Sequence, residues 1–236
     1  MNIAIILAGG TGSRAKSDIP KQFVELSGKM MIIHSMEPFG KSMYVNNILI
    51  VADSTYRDQI EDALFDEESI SEKMLGFAEP GENRQLSIYN ALKEIEKMGL
   101  GAMVDNVIIH DAARPFVAVE TIEECFKALE KSEGVMPALP MNDTVYFSRT
   151  GEKVDELLKR ETIYAGQAPE AFNYASYLAA NEALLPDKIF LIKGSTEPAV
   201  LAGMKVAMIP GDQRNFKVTT DADLERAKEL IERNPE

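Results

Sequence analysis

The feature that most constrains this chain is a glycine-rich turn set directly behind an apolar run. Ile3 to Leu7 is followed by "LAGGTGSRAKSDIPKQF", which runs from Leu7 to Phe23. A short apolar run bounded by glycines reads as a buried strand. A strand that feeds such a loop is how α/β proteins bring backbone N–H groups up to an anion. A kinase-type phosphate loop would need Gly-Lys-Ser/Thr opening the next helix, so that the lysine reaches the outer phosphates and the hydroxyl holds magnesium. That tripeptide is absent. A dinucleotide fingerprint comes closer, because Gly10, Gly12 and Ala15 satisfy G-x-G-x-x-A. It also requires an uninterrupted helix and an acidic residue about 20 positions on for the ribose. Pro20 disfavours helix at Ile19, and the next strand-like run, Ile48 to Val51, delivers Asp53 far too late.

The third loop type is that of a nucleotidyltransferase. There the backbone of Leu7, Ala8, Gly9, Gly10, Gly12 and Ser13 would cradle a triphosphate, while Arg14 and Lys21 neutralise charge that glycines cannot. The plainer alternative is a tight turn whose Arg14 and Lys21 are simply solvated.

Composition sets limits without choosing among enzymes. With 236 residues, 45% of them apolar and 27% charged, the chain can bury one substantial α/β core. No Pro/Gly/Ser-rich linker, internal repeat or long like-charge block divides it, so 1–236 is expected to be a single domain. The N-terminal apolar run lacks a basic flank and a cleavage pattern, and no apolar stretch approaches the roughly 18 residues of a membrane span, so a cytoplasmic protein without a membrane partner is expected. Net charge of −13 argues against nucleic acid, whose phosphates are bound by basic patches. Cys125 falls among Ile122, Phe126 and Leu129 on an apolar helix face and reads as core. Two histidines and one cysteine cannot build a zinc site, and His34 and His110, both in apolar neighbourhoods, read as structural.

Strand-like and helical segments alternate along the chain. The spacing predicts helices near Thr55 to Phe65, from Leu86 to Gly99 and over "VETIEECFKALEKSEG", with strands at Leu75 to Ala78, "NVIIHD" and "GVMPALPM". The fold class expected is α/β, a Rossmann-like, mostly parallel twisted sheet with helices on both faces. Ligands in such sheets gather at the carboxyl ends of strands. Residues 141–166 alternate imperfectly and have little apolar surface to bury alone, which suggests a protruding β-arm with Ser148 to Gly151 as its turn. "QRNFKVTT" reads as a late strand with Lys217 opposite Phe216 and Val218, and Thr220 and Asp223 as a capping-box start to a last helix.

The chain resembles the cytidylyltransferases that activate 2-C-methyl-D-erythritol 4-phosphate or ribitol 5-phosphate with CTP. The resemblance rests on "LAGGTGSR", "PKQF", Gly81-x-x-Arg84-x-x-Ser87, "HDAARPF", "DT" at 143–144, "KRETIYAGQAPEAF" and "NFKVTTDADL", in that order along nearly the whole chain. It implies a nucleotidyltransferase fold that takes CTP with magnesium or another divalent cation. By resemblance, Pro80 and Gly81 offer backbone to the cytosine amino group, Ser87 meets the ring edge, Arg84 fixes the turn and Glu82 is a weaker match for a ribose contact. The small Ala112 lets the nucleotide approach, and Arg114 buttresses its loop. Arg14, Lys21 and Lys217 are the implied catalytic cations. Asp111, Thr144 and Arg160 would bind the acceptor, with Asp111 also a candidate magnesium ligand. The arm, 141–166, would embrace a second subunit in a homodimer.

A phosphomonoester acceptor has a second pKa near 6 and attacks without a general base, which suits a chain poor in histidine. The Gly9-Gly10 pair, Tyr164-x-Gly166-Gln167 and "KVTT" tilt the expected acceptor toward ribitol 5-phosphate, whereas Thr196-Glu197 before a late strand resembles methylerythritol phosphate enzymes. A dinucleotide-dependent oxidoreductase and a non-catalytic nucleotide-binding module stand as the alternatives from other classes.

Overall fold

The aliphatic run leaves strand β1 (Asn2–Leu7) no polar face, and the computed structural model, which describes residues 1–10 and 19–233, buries it between two parallel neighbours. These are β4 (Asn47–Val51) and β6 (Asn106–Asp111), and β5 (Met74–Ala78) continues the parallel set beyond β4. Beyond β6 the sheet becomes mixed. Strand β11 (Glu170–Asn173) runs antiparallel to both β6 and β7 (Gly134–Pro140). Strand β7 also pairs with β10 (Tyr164–Gly166), antiparallel, and with β12 (Val206–Pro210), parallel.

Side chains alternate across each strand, and the two faces collect separate cores. Ala4, Ile6, Ile48, Ile50 and Ile108 pack against helices α1 (Met31–Lys41), α2 (Arg57–Leu64), α3 (Glu68–Ser71) and α5 (Val119–Leu129). Ile3, Ile5, Leu49, Val51, Val107 and Ile109 face α4 (Arg84–Lys97), α6 (Tyr174–Glu182) and α7 (Glu197–Leu201). The expected α/β class, mostly parallel with helices on both faces, is the observed one. Cys125 lies fully buried in the first core, and burial pushes its thiol pKa up. A small third cluster, Leu26, Met31, Val218 and Ala227, ties α8 (Asp221–Arg233) to the hairpin of β2 (Glu25–Leu26) and β3 (Lys29–Met30).

Three local expectations shift. The helix expected from Thr55 begins as a 3-10 turn, Ser54–Tyr56, because Asp53 accepts from Thr55 N at 2.9 Å and caps that turn instead. Helix α4 buries Ile88, Ala91, Leu92 and Ile95 toward the sheet, whereas Leu86 and Tyr89 cover Leu184, Ile189 and Ile192. The late strand is β12, and Lys217 follows it in an extended segment outside any ladder. The capping box of α8 forms as expected, with Thr220 N donating to Asp223 Oδ2 at 2.8 Å and Asp223 N to Thr220 Oγ1 at 3.1 Å.

After β7 the chain leaves the sheet. Strands β8 (Val145–Phe147) and β9 (Glu156–Leu158) pair with each other, and Gly151, at φ 78°, turns the loop between them with its N–H on Ser148 Oγ. Tyr146 and Leu157 remain 56% and 63% exposed on this arm.

Candidate active site

Register aligns the ends of four parallel strands: Leu7 lies beside both Val51 and Asp111, and Val51 beside Ala78. The loops after β1, β5 and β6 therefore open on one edge, where α/β sheets bind ligands. Contact between the first two is close. A Cβ on Gly9 would sit 2.6 Å from Pro80 Cβ, so only glycine lets this backbone lie against Pro80.

The exit of the first loop is organised by "PKQF". Pro20 leads into a single 3-10 turn, Lys21–Phe23, whose residues are all buried, and Phe23 stacks on Tyr56 at 4.4 Å. From this turn the Gln22 amide reaches back, donating to Ala8 O at 2.7 Å and Gly10 O at 2.8 Å. Lys21 beside it is buried, and among the described residues its ammonium has no hydrogen-bond partner; the Asp221 carboxylate stands 3.4 Å away. Gly12, Ser13 and Arg14, expected at the phosphates, lie outside the described residues.

Asp111, 6% exposed at the tip of β6, is the charge centre of the site. Arg84 grips Oδ1 through Nε and Nη2 at 3.1 and 3.0 Å. Lys217 Nζ stands 3.1 Å from Oδ2 and Arg114 Nε 3.4 Å from it. Burial alone would raise this carboxyl, but Arg84, Lys217 and Arg114 outweigh it and hold the group well below the usual carboxylate range. Both oxygens thus face cations. The described residues contain no cluster of three or more His, Cys, Asp or Glu that could hold a metal, and this geometry by itself lends no support to the magnesium role that the resemblance implies for Asp111.

The segment bearing Lys217 is pinned by other means than a ladder. Arg114 Nη1 donates to Asn215 O at 2.7 Å, Val218 N to Ala113 O at 2.8 Å, and Gln167 brackets Asp212 with Nε2 on its carbonyl and Oε1 on its N–H. Phe216 stacks on Phe116. The expected opposition of Lys217 to Phe216 and Val218 therefore holds, without the expected strand.

Two nucleotide-loop expectations need correction. Arg84 does not fix the Gly81 turn, because as the first residue of α4 it projects across to Asp111, Ser195 and, at 3.7 Å, Glu170. The turn is held by Ser87 Oγ, which accepts from Gly81 N and donates to Asn83 O, both at 3.0 Å, and by Asn83, whose Oδ1 accepts from Leu86 N at 2.7 Å. A Cβ on Gly81 would lie 2.4 Å from Leu86 Cβ, so glycine is required there. Ala112 is not an open approach surface: its side chain is buried in the core, its N–H donates to Leu7 O and its carbonyl accepts from Ser35 Oγ. Glu82 stands exposed beside the turn.

Thr144 and Arg160 both stand exposed on the arm, where Arg160 Nη1 donates to Asn142 O at 2.7 Å; the single chain does not bring them to Asp111. Both histidines are structural as expected. His110 Nε2 donates to Arg114 O at 3.0 Å and His34 Nε2 to Leu26 O at 2.9 Å. Sequence reading missed Gln22, Asn83, Glu170 and Ser195. Asn83 carried a signal, an Asn just before a helical run; Glu170 and Ser195 carried none, being brought to Arg84 by tertiary pairing. Glu170 accepts from Thr196 Oγ1 at 2.9 Å, and its burial raises its pKa against the opposing pull of Arg84.

The family profile "IspD: 2-C-methyl-D-erythritol 4-phosphate cytidylyltransferase" matches residues 2–233. The chain belongs to this family. It is a nucleotidyltransferase of the CTP-dependent, cytidylyl-transferring kind. It is 34% identical to the 2-C-methyl-D-erythritol 4-phosphate cytidylyltransferase of Thermotoga neapolitana and 35% identical to that of Cereibacter sphaeroides, covering 97% of this chain and 96% of each relative. The fold matches the crystal structure of 4-diphosphocytidyl-2C-methyl-D-erythritol synthase from Anaerococcus prevotii, with TM-score 0.84 at 24% identity, over 98% of this chain and 96% of that one. None of these names carries ribitol 5-phosphate, so the tilt toward that acceptor has no support in them. The oxidoreductase and the non-catalytic module fall away with the family match. No helix among the described residues is long and apolar enough to cross a membrane.

Proposed function

We propose that the chain transfers CMP from CTP to 2-C-methyl-D-erythritol 4-phosphate and releases pyrophosphate. The observation that carries the phosphate chemistry is the buried Lys21 ammonium, which among the described residues has no hydrogen-bond partner and lies in the turn whose Gln22 clamps Ala8 and Gly10. A buried ammonium whose one ion-pair partner, Asp221, is largely exposed is incompletely compensated, and sites keep such strain where a ligand relieves it. A polyphosphate supplies that relief. The acceptor identity is supported by the names of the relatives, all methylerythritol phosphate enzymes in those cited above.

The acceptor phosphate is mostly a dianion near neutral pH and attacks the α-phosphorus in line, expelling pyrophosphate, without a proton to be removed. Neither histidine is placed to serve as a base, since burial pushes His110 down to about 4 and its Nε2 is engaged by Arg114 O. Charge that grows on the phosphoryl oxygens is met by Lys21 and Lys217, with Arg14 assigned to the same task. Asp111, held by Arg84 and Arg114, orients the acceptor and keeps Lys217 at the strand tip. Magnesium enters as the counter-ion of the CTP phosphates rather than as a ligand of Asp111. Thr144 and Arg160 complete the acceptor site in a homodimer whose arms cross between subunits.

Pyrophosphate release with CTP across a panel of polyol phosphates tests this. Turnover is expected with 2-C-methyl-D-erythritol 4-phosphate and not with free polyols. Faster turnover with ribitol 5-phosphate would overturn the acceptor assignment, and turnover with free polyols would overturn the phosphate-attack mechanism.

A further inference from the structure

We infer that Gln22 is a positioning residue for nucleotide binding: it turns the carbonyls of Ala8 and Gly10 away from the polyphosphate and holds the backbone from Ala8 to Gly10 in an anion-accepting form. This rests on the reading that CTP phosphates occupy that loop. A loop that receives an anion must present N–H groups to it and send its carbonyl oxygens, which carry negative partial charge, elsewhere. Glycines make such a loop conformationally permissive, so without an anchor it samples conformers with carbonyls facing the ligand.

The geometry supplies one anchor for two carbonyls. Both Ala8 O and Gly10 O accept from the same nitrogen, Gln22 Nε2, at 2.7 and 2.8 Å. A primary amide has two N–H donors and can satisfy both acceptors at once. Gln22 itself is buried, and its backbone belongs to the Lys21–Phe23 turn, fixed by the Phe23 stack on Tyr56. Ala8 is fixed on its other side by its N–H on Val51 O at 2.8 Å. The clamp therefore couples loop and ammonium, because the residue that orients the loop adjoins Lys21 in a single helical turn.

The test compares Gln22→Met, which keeps the volume but donates nothing, with Gln22→Glu, which places acceptors against the two carbonyls. CTP affinity is measured by calorimetry and the KM for each substrate by pyrophosphate release. Gln22→Met is expected to weaken CTP binding about tenfold or more, the scale of a lost buried hydrogen bond. The acceptor KM should move little, while the melting temperature falls by a few degrees for the two buried bonds lost. Gln22→Glu should bind CTP more weakly still, and should recover part of that loss as pH falls and the carboxyl gains a proton to donate. Wild-type CTP affinity in a folded Gln22→Met protein overturns the proposal, as does equal weakening toward both substrates. Lys21→Ala, measured alongside, reports on the underlying reading. Unchanged CTP affinity there overturns the phosphate site itself, whereas its loss together with a normal Gln22→Met overturns the role of Gln22 alone.

Discussion

Lys21 places a full charge in a buried position with no hydrogen-bond partner among the described residues, and the Asp221 carboxylate at 3.4 Å, itself largely exposed, is a weak counter-ion. Fold stability and function should therefore pull apart at this residue. Lys21→Met keeps the side chain linear and only one atom shorter while removing the charge, so unfolding free energy should rise by about 1 kcal/mol while CTP binding is lost. Urea unfolding beside calorimetry checks this, and a less stable Lys21→Met protein would mean that the ammonium is satisfied in the free protein after all. His110 makes a second residue-scale prediction. Burial pushes its pKa down to about 4 despite the bond to Arg114 O, whereas an unfolded histidine titrates near its ordinary value of 6.5. Above about pH 6.5 neither state binds the proton, and the residue contributes no pH dependence. Between about pH 6.5 and pH 4 only the unfolded chain is protonated, so stability should fall by about 3 kcal/mol as pH drops through that window, then level off. Comparing denaturation midpoints of wild type and His110→Gln at pH 7 and pH 4.5 isolates the effect. A wild-type loss no larger than that of His110→Gln would rule it out.

At the scale of elements, the N-terminus of α4 holds the third motif in shape. Asn83 Oδ1 caps Leu86 N at 2.7 Å and its Nδ2 donates to Ile189 O at 3.1 Å, so one amide joins the helix, the Gly81 turn and the segment around Ile189. Asn83→Ala should cost about 1 to 2 kcal/mol, a lost cap with a second bond gone, and should weaken CTP binding because the Gly81 turn loosens. Thermal unfolding and CTP titration of this variant measure both effects; a stability loss with CTP affinity intact would separate the cap from the site. The same helix shows where sequence reading reaches its limit. Its apolar face and the buried run of β1 were legible, because 3.6-residue and continuous-apolar patterns report burial directly. The destination of Arg84 was not, since a residue beside a turn reads as part of the turn until tertiary packing sets α4 next to β6 and sends its guanidinium to Asp111. The segment around Lys217 failed for a related reason. Its alternation of apolar and polar residues is that of a strand, yet Arg114, Gln167 and Asn215 hold it by side-chain bonds, which no periodicity reports.

Over the whole molecule, a net charge of −13 surrounds a site in which Arg84, Arg114 and Lys217 gather around Asp111 and a buried Lys21 stands at the exit of the first loop. That contrast concentrates attraction for two phosphorylated substrates in one place and leaves the outer surface unsuited to polyanions. The arm does not fit this picture of a self-sufficient body. Strands β8 and β9 pair only with each other among the described residues, and Tyr146, Phe147, Val154 and Leu157 stay exposed on a two-stranded ribbon that would be marginal alone. Thr144 and Arg160, the acceptor residues implied by family resemblance, ride on the same ribbon away from any contact with Asp111. The proposed second copy of the chain would resolve both features at once, covering the apolar residues and placing the two polar ones over its neighbour's strand tips. Wild-type protein is accordingly expected to sediment as a dimer. Replacing Phe147 to Lys153 by a short glycine turn should shift it toward monomer and raise the KM for the acceptor, while CTP affinity, assigned by the proposal to the loops after β1 and β5 of a single chain, stays near the wild-type value. Sedimentation velocity with substrate titrations decides the matter. A monomeric wild type with full turnover would show that Thr144 and Arg160 act elsewhere or not at all, and a shortened arm that weakened CTP and acceptor binding equally would point to general damage rather than to a shared site.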